Sequence, residues 1–302
     1  MRVTCVRDDL VNDGSLSLRL LGRTLRALPP TTRGKNRLAR FVLSHRLRGS
    51  PTVVRDRDGN FMLLPNLLEP VGLSLWMNGV YEPDVMRFLK ESIRRPDSVV
   101  VDIGANIGAF TIPLARHVNR GGRVIAIEAA PSVAPVLRMN VERNHLTNVV
   151  VVECAASTGD TSYVQFYEAP QDHFGMGSSA PQFGVSPIEV KAKSLDQIVT
   201  ENGVSHVDVI KVDVEGYEAH VFQGAENLLD CRYRPRIVFE FCDWAEERAF
   251  PGRRGWAQEI LIRNGYSLWR LSDFLSGRKP LDAPIREGFE SIVAIPRQHR
   301  DA

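Results

Sequence analysis

The stretch 99–110, V-V-V-D-I-G-A-N-I-G-A-F, constrains this chain more than any other. Val99, Val100, Val101 and Ile103 read as a buried strand, and the residues after them as a tight turn into a helix. Gly104 can take backbone angles that other residues avoid, and it lets a ligand approach the chain closely. Gly108 falls early in the next helix, where a missing side chain permits close packing on the strand. Amides at that helix start can receive a polar or anionic group. About twenty residues further on, a second apolar run ends at Glu128, the position from which an acid grips two ribose hydroxyls. The pattern describes a nucleoside-cofactor site.

Two residues choose between cofactors. A dinucleotide site prefers G-x-G-x-x-G, but Asn106 stands at the middle position and the spacing is G-x-x-x-G. Asp102, at the strand end, would repel a pyrophosphate and suits the ammonium of a methionine moiety or waters bound to it. The same residues can also be read as a capped turn with a tight corner. The set Asp102, Gly104, Asn106, Gly108 and Glu128 favours S-adenosylmethionine over a nicotinamide cofactor.

From about residue 97 onward, strand-like runs alternate with helix-like ones. The strands are expected at 99–103, 124–128, 149–154, 207–213, 237–241, 266–271 and 292–295, and the helices at 107–118, 134–144, 218–229 and 256–264. Several strands are apolar on both faces, as when helices cover both sides of a parallel sheet. The fold class expected is α/β, a doubly wound Rossmann-like sheet with helices on both faces. One stretch, 168–187, breaks the alternation with Gly175, Gly177, Gly184 and three prolines. A loop of that length inside a compact domain is usually functional or disordered.

Ahead of this lie a hairpin, 52–55 and 61–64 about Asp58-Gly59, and a helix beginning after Glu82-Pro83. Residues 14–55 contain no Asp or Glu and many arginines, and 15–50 reads as two short amphipathic helices. The expected division is a basic helical cap with a β-hairpin over 1–78 and a catalytic domain over 79–302. The cap's leucines would pack on the domain; peripheral contact with anionic membrane lipid or an acidic carrier is the second reading. Nucleic acid is least favoured, because Phe41 alone interrupts the basic residues. A net charge of +2 is too small to argue for a polyanionic partner.

The segments G-V-Y-E at 79–82, V-D-I-G-A-N-I-G-A-F at 101–110, S-L-D at 194–196 and I-K-V-D-V-E-G-Y-E at 210–218 together resemble the FkbM-type family of S-adenosylmethionine-dependent O-methyltransferases. The likeness spans about 79 to 241. It implies that Asp102, Gly104, Asn106 and Gly108 line the methionine end, and that Glu128 takes the ribose hydroxyls. It also implies that Ala155 and Ala156 run past the adenine edge, and that Tyr81 and Glu82 close over the cofactor. Tyr81 and Glu82 can equally be a helix start with a packed aromatic.

Methyl transfer from a sulfonium requires an aligned acceptor and a group to take its proton. Asp213, at the end of the strand at 207–213, is placed to do this or to hold the cofactor's amine, and Glu215 follows it; either can instead cap the next helix. His173, in the long loop, is a further candidate base, or a surface histidine. Asp213, Glu215 and Glu240 could together hold Mg²⁺. Clustered acids at strand ends are common without metal, so Mg²⁺ is the less favoured alternative and no metal ligand is assigned.

Cys5, Cys154, Cys231 and Cys242 form no metal-binding pattern and fit a reducing compartment. No run approaches the ~20 apolar residues of a membrane span, and the expected location is the cytoplasm. The sequence therefore points to a methyltransferase acting on a hydroxyl of a sugar, glycolipid or specialised metabolite. A nicotinamide-dependent oxidoreductase and a non-catalytic cofactor-binding module are the alternatives.

Overall fold

In chain order the strands are β1 (Thr52–Arg55), β2 (Phe61–Leu64), β3 (Val99–Ile103), β4 (Arg123–Glu128), β5 (Val149–Glu153), β6 (Ala155–Ser157), β7 (Tyr163–Phe166), β8 (Ile188–Ser194), β9 (Val209–Val212), β10 (Arg236–Cys242), β11 (Tyr266–Arg270) and β12 (Phe289–Pro296). The computed structural model describes residues 51–118, 121–170 and 173–297, with Thr24, Leu25, Ala27, Gly34, Arg37, Leu38 and Phe41. The two helices expected within 15–50 fall almost wholly outside the described residues.

All seven apolar runs expected from the sequence enter one sheet, in the order β11-β12-β10-β9-β3-β4-β5. Its strands are parallel except β12, which runs antiparallel to both its neighbours. Every residue of β3 and β9 is buried, because helices cover both faces. From β3 the chain winds outward through β4 and β5. It then returns to the other side of β3 to lay down β9 and β10. The strand order therefore reverses between β3 and β9, and a crevice opens at their carboxyl ends.

The remaining strands flank that crevice. After Cys154 the chain leaves the main sheet, and β6 joins a three-stranded sheet of order β6-β8-β7. The β1-β2 hairpin forms over the expected spans, with Thr52 paired to Leu64 and Arg55 to Phe61. Its β2 edge is satisfied by asparagine side chains of the helix Ala134–Arg143 and its C-cap in place of a third strand. Asn140 accepts from Leu63 N at 2.6 Å and donates to Leu63 O and Ile107 O; Asn144 accepts from Phe61 N at 2.9 Å. The hairpin and the helix Pro70–Asn78 share a buried cluster with Ile107, Ala109 and Ala155, so they are built into the wall of the crevice.

Two expected helices differ in extent. The one expected at 107–118 begins only at Thr111, because the chain first makes a turn in which Asn106 and Gly108 take positive φ. The one expected at 218–229 is two, Glu218–Gln223 and Glu226–Asp230. A Cβ on Gly224 would lie 1.9 Å from Ser157 O, so this position demands glycine, and the helix breaks there. Among the described residues, no helix is long and apolar enough to cross a membrane.

Candidate active site

Gly104 ends β3 in the left-handed region at φ 71°, and a Cβ there would stand 1.8 Å from Asp213 O at the end of β9. The two strand ends touch backbone to backbone. The amides of Gly104 and Ala105 both donate to Ile127 O at 3.0 Å, which binds the turn to β4. Glu128 completes it, accepting from Asn106 N at 2.8 Å through one oxygen and from Ala130 N at 2.9 Å through the other. A carboxylate has about four acceptor positions, so each oxygen keeps one for a further donor. Burial pushes the Glu128 carboxyl up to about 7, against the pull of those two amides.

A cavity of about 260 Å³ occupies the crevice. Tyr81, Glu82, Gly104, Asn106, Glu128, Ala155, Ala156, Asp213 and Glu215, all singled out from the sequence, line it. Three others do not. Gly108 faces the helix Ala134–Arg143, where a Cβ would meet Leu137 Cδ1 at 2.9 Å, so its role is packing. His173 is exposed, its ring 5.3 Å from that of Phe183. Asp102 is fully buried behind the cavity wall; it accepts from Thr111 Oγ1 at 2.6 Å and faces the Lys211 ammonium at 3.4 Å.

The other end of the cavity is acidic. Asp213, Glu215 and Glu240 each offer an oxygen within 4.8 Å of the others, and Glu82 lines the same wall. Burial raises Glu240, and the charges of Asp213, Glu215, Glu218 and Glu82 raise it further. Glu215 is raised by burial and by Asp213, against the pull of Arg248 and Lys211. Tyr81 is raised by burial, then by Glu82, Asp213 and Glu240, and its ring meets Phe110 edge-on at 5.7 Å. Glu215 sits at φ 56° and does not cap the next helix. That helix, Glu218–Gln223, has no side-chain cap; Glu218, its first residue, instead holds the turn ahead of it, accepting from Val214 N at 3.1 Å and Gly216 N at 3.4 Å.

The glycine-rich loop closes the cavity from a third side through Gly175, Met176, Gly177 and Ser179. Gly175 lies against Asn106, where a Cβ would be 2.2 Å from the carboxamide nitrogen. Ser178 donates to Glu215 O at 3.0 Å. These contacts bind the loop to both the glycine turn and the acidic end. Trp244 and Phe289 also line the cavity and are 53% and 62% exposed, with the Arg248 guanidinium 5.0 Å over the Trp244 ring.

The sequence reading gave Lys211 no role, although the signal was present. A lysine inside V-I-K-V, a strand buried on both faces, needs a partner because an unpaired buried charge is costly. Glu218 and Glu246 were passed over for the opposite reason. Acids outside strand ends read as solvent-facing, yet both are almost wholly buried, Glu246 in a helix, Asp243–Ala249, that the sequence did not suggest.

Burial of acids has a measurable consequence. Glu69, Glu128 and Glu246 are pushed up to about 7 and Glu218 to about 8, all chiefly by burial. In the unfolded chain these carboxyls ionise near 4.5. The folded state therefore holds more protons between that pH and 7–8. Each such group contributes stability that is complete below its unfolded pKa and is lost as pH rises through the folded one, on the order of 1–3 kcal/mol apiece. The ligand-free protein should melt at least ~5 °C lower at pH 8.5 than at pH 5.5. A scanning-calorimetry Tm that stays level or climbs over that range would refute the assignment.

The comparisons with known proteins agree with this geometry. The family description "Methyltransferase FkbM domain" matches residues 102–268. The AMB antimetabolite synthetase AmbE of Pseudomonas aeruginosa is 24% identical over 67% of this chain, although the match takes in only 11% of that synthetase. The hexuronic acid methyltransferase AglP of Haloferax volcanii is 31% identical, covering 49% of this chain and 58% of its own. The 31-O-demethyl-FK506 methyltransferase FkbM of Streptomyces tacrolimicus is 28% identical, covering 49% and 67%. The family match begins at Asp102, runs through the glycine turn, Glu128, the Asp213 segment and β10, and ends in β11. This chain belongs to the methyltransferase FkbM domain family.

Proposed function

We propose that the protein methylates a hydroxyl of a small polar acceptor, such as a sugar or a specialised metabolite, giving a methyl ether. Bound S-adenosylmethionine supplies an electrophilic methyl group on a good leaving group. The residues fit that cofactor. Glu128 keeps one free acceptor position on each oxygen for the two ribose hydroxyls. Gly104 and Asn106 leave the turn open to the methionine chain, and Ala155 and Ala156 offer small side chains and backbone beside the purine.

The observation that carries the reading is the acidic end of the cavity. A hydroxyl attacking the methyl group must lose its proton, and a carboxylate of raised proton affinity takes it better than an ordinary one. Glu215 and Glu240 are raised in this way and converge on Asp213. Glu215, the less raised of the two, is assigned as the proton acceptor in its ionised form, and Glu240, raised further, as its protonated neighbour, with no step requiring an ion. The exposed aromatic residues Trp244 and Phe289 suit a sugar ring or a flat metabolite. His173 is not assigned to the chemistry, because it stands outside the cavity lining. The relatives that act on a hexuronic acid and on a demethylated FK506 are in keeping with an acceptor of this kind.

The test is transfer of label from methyl-labelled S-adenosylmethionine to a panel of sugars, uronic acids and hydroxylated polyketides, with and without EDTA. The expected product is a methyl group that survives mild base, formed equally well in EDTA. Base-labile label would mean a carboxyl acceptor. Activity lost in EDTA and regained with Mg²⁺ would make the three acids an ion site. Cofactor binding without transfer to any acceptor in the panel or in cell extract would leave a binding module.

A further inference from the structure

Lys211 rises from the middle of β9 and is nearly wholly buried, yet it reaches the cavity wall. Its ammonium lies 3.4 Å from Asp102 Oδ1, 3.4 Å from Asp213 Oδ2, 2.9 Å from Gly104 O and 3.5 Å from Ile103 O. It also stands 5.2 Å over the Phe110 ring. Burial alone would lower its proton affinity, but the charges of Asp102, Asp213 and Glu82 outweigh that and raise it. A lysine ammonium has three donors, and four oxygens already surround this one. Two donors go to the carbonyls of Gly104 and Ile103, and the ion pairs with the two aspartates surround what remains of the charge.

The two aspartates are unequal. Asp102 is fully buried, outside the cavity lining, with one oxygen on Thr111 and the other on Lys211. Asp213 lines the cavity with its side chain 27% exposed; among the described residues its carboxylate is partnered by Lys211 alone, through Oδ2. The second oxygen remains for a ligand. From this we infer that Lys211 is a positioning residue: it neutralises Asp102, pins the Gly104 carbonyl and aims Asp213, so that Asp213 and not Asp102 receives the cofactor's α-ammonium.

The inference rests on the cofactor reading of the cavity, and its test separates the two. S-adenosylhomocysteine carries the amino-acid end of the cofactor, whereas 5′-methylthioadenosine keeps the nucleoside and lacks that end. Calorimetric affinities for both are measured on the wild type and on Lys211→Met, Asp213→Asn and Lys211→Arg. In Lys211→Met, Asp213 loses the partner that orients it and is pushed away by the unmatched Asp102. The ratio of S-adenosylhomocysteine to methylthioadenosine affinity should then fall about tenfold, as for one lost hydrogen bond to a charged group. It should fall as much in Asp213→Asn, whose side chain is isosteric and partly exposed, and recover in part in Lys211→Arg.

If Asp102 were the true ligand, releasing it from Lys211 would raise the ratio in Lys211→Met. A purely structural role would lower both affinities together and leave the ratio unchanged. Either result overturns the inference, as does an unchanged ratio in Asp213→Asn should Lys211→Met fail to fold. Failure of the wild type to bind either nucleoside would refute the cofactor reading itself.

Discussion

Glu128→Ala should lower S-adenosylhomocysteine affinity at least ~100-fold, the loss of two hydrogen bonds from ribose hydroxyls to a charged acceptor at about 1.5–3 kcal/mol each. The same substitution leaves the amides of Asn106 and Ala130 without their acceptor. Asn106 stands at φ 51°, a conformation that needs outside support, so the turn itself should loosen. A drop in Tm should accompany the loss of binding. Methylthioadenosine keeps the ribose, so its affinity should fall in parallel, unlike the response expected of Lys211→Met. Glu128→Gln keeps an acceptor for one amide only and should lie between the two. A folded Glu128→Ala protein that binds both nucleosides within about threefold of wild type would show that the ribose is held elsewhere.

The contrast between Glu128 and Lys211 shows what a sequence of this kind discloses. Glu128 follows an apolar run at a fixed interval from the glycine turn, and Gly104 must be small whatever surrounds it. Both constraints are local and survive without coordinates. The sheet was legible for a similar reason, because each of its strands is a short apolar run bounded by turn residues. Lys211 was legible only in part. That a buried ammonium in V-I-K-V needs a partner could be read, and Asp213 stands two residues on, but Asp102 meets it from β3 and nothing in its own segment names that partner. Gly224 is a second case. The approach of Ser157 O, from a strand far away in sequence, reserves this position for glycine, and Asp196 N takes the Gly224 carbonyl that a continuous helix would use. The helix Pro70–Asn78 escaped notice because Val71, Gly72, Leu73, Leu75, Trp76 and Met77 are all buried. A segment apolar nearly all round shows no stripe for periodicity to detect. Its start is set by Glu69, which accepts from the amides of Val71 and Gly72.

Gly104→Ala should be the most damaging single methyl group in the protein, and a second glycine shows why. Gly203, after the helix Leu195–Glu201, has φ 64°, close to the 71° of Gly104. A Cβ at Gly203 would meet nothing within 4 Å, whereas at Gly104 it would stand 1.8 Å from Asp213 O. The dihedral penalty is common to both, about 1–2 kcal/mol for a residue with a Cβ in the left-handed region. The collision belongs to Gly104 alone. It can be relieved only by parting the ends of β3 and β9, which breaks the 3.1 Å bond from Asp213 N to Ile103 O and moves Gly104 O away from Lys211. Urea unfolding should therefore show Gly203→Ala destabilised by about 1 kcal/mol and Gly104→Ala by more than ~3 kcal/mol. Nucleoside binding should persist in the first and vanish in the second. Equal losses at the two positions would mean that the left-handed turn, and not the contact between strand ends, is what this glycine supplies. A Gly104→Ala protein that still bound the cofactor would mean that the ends of β3 and β9 can separate without dismantling the site.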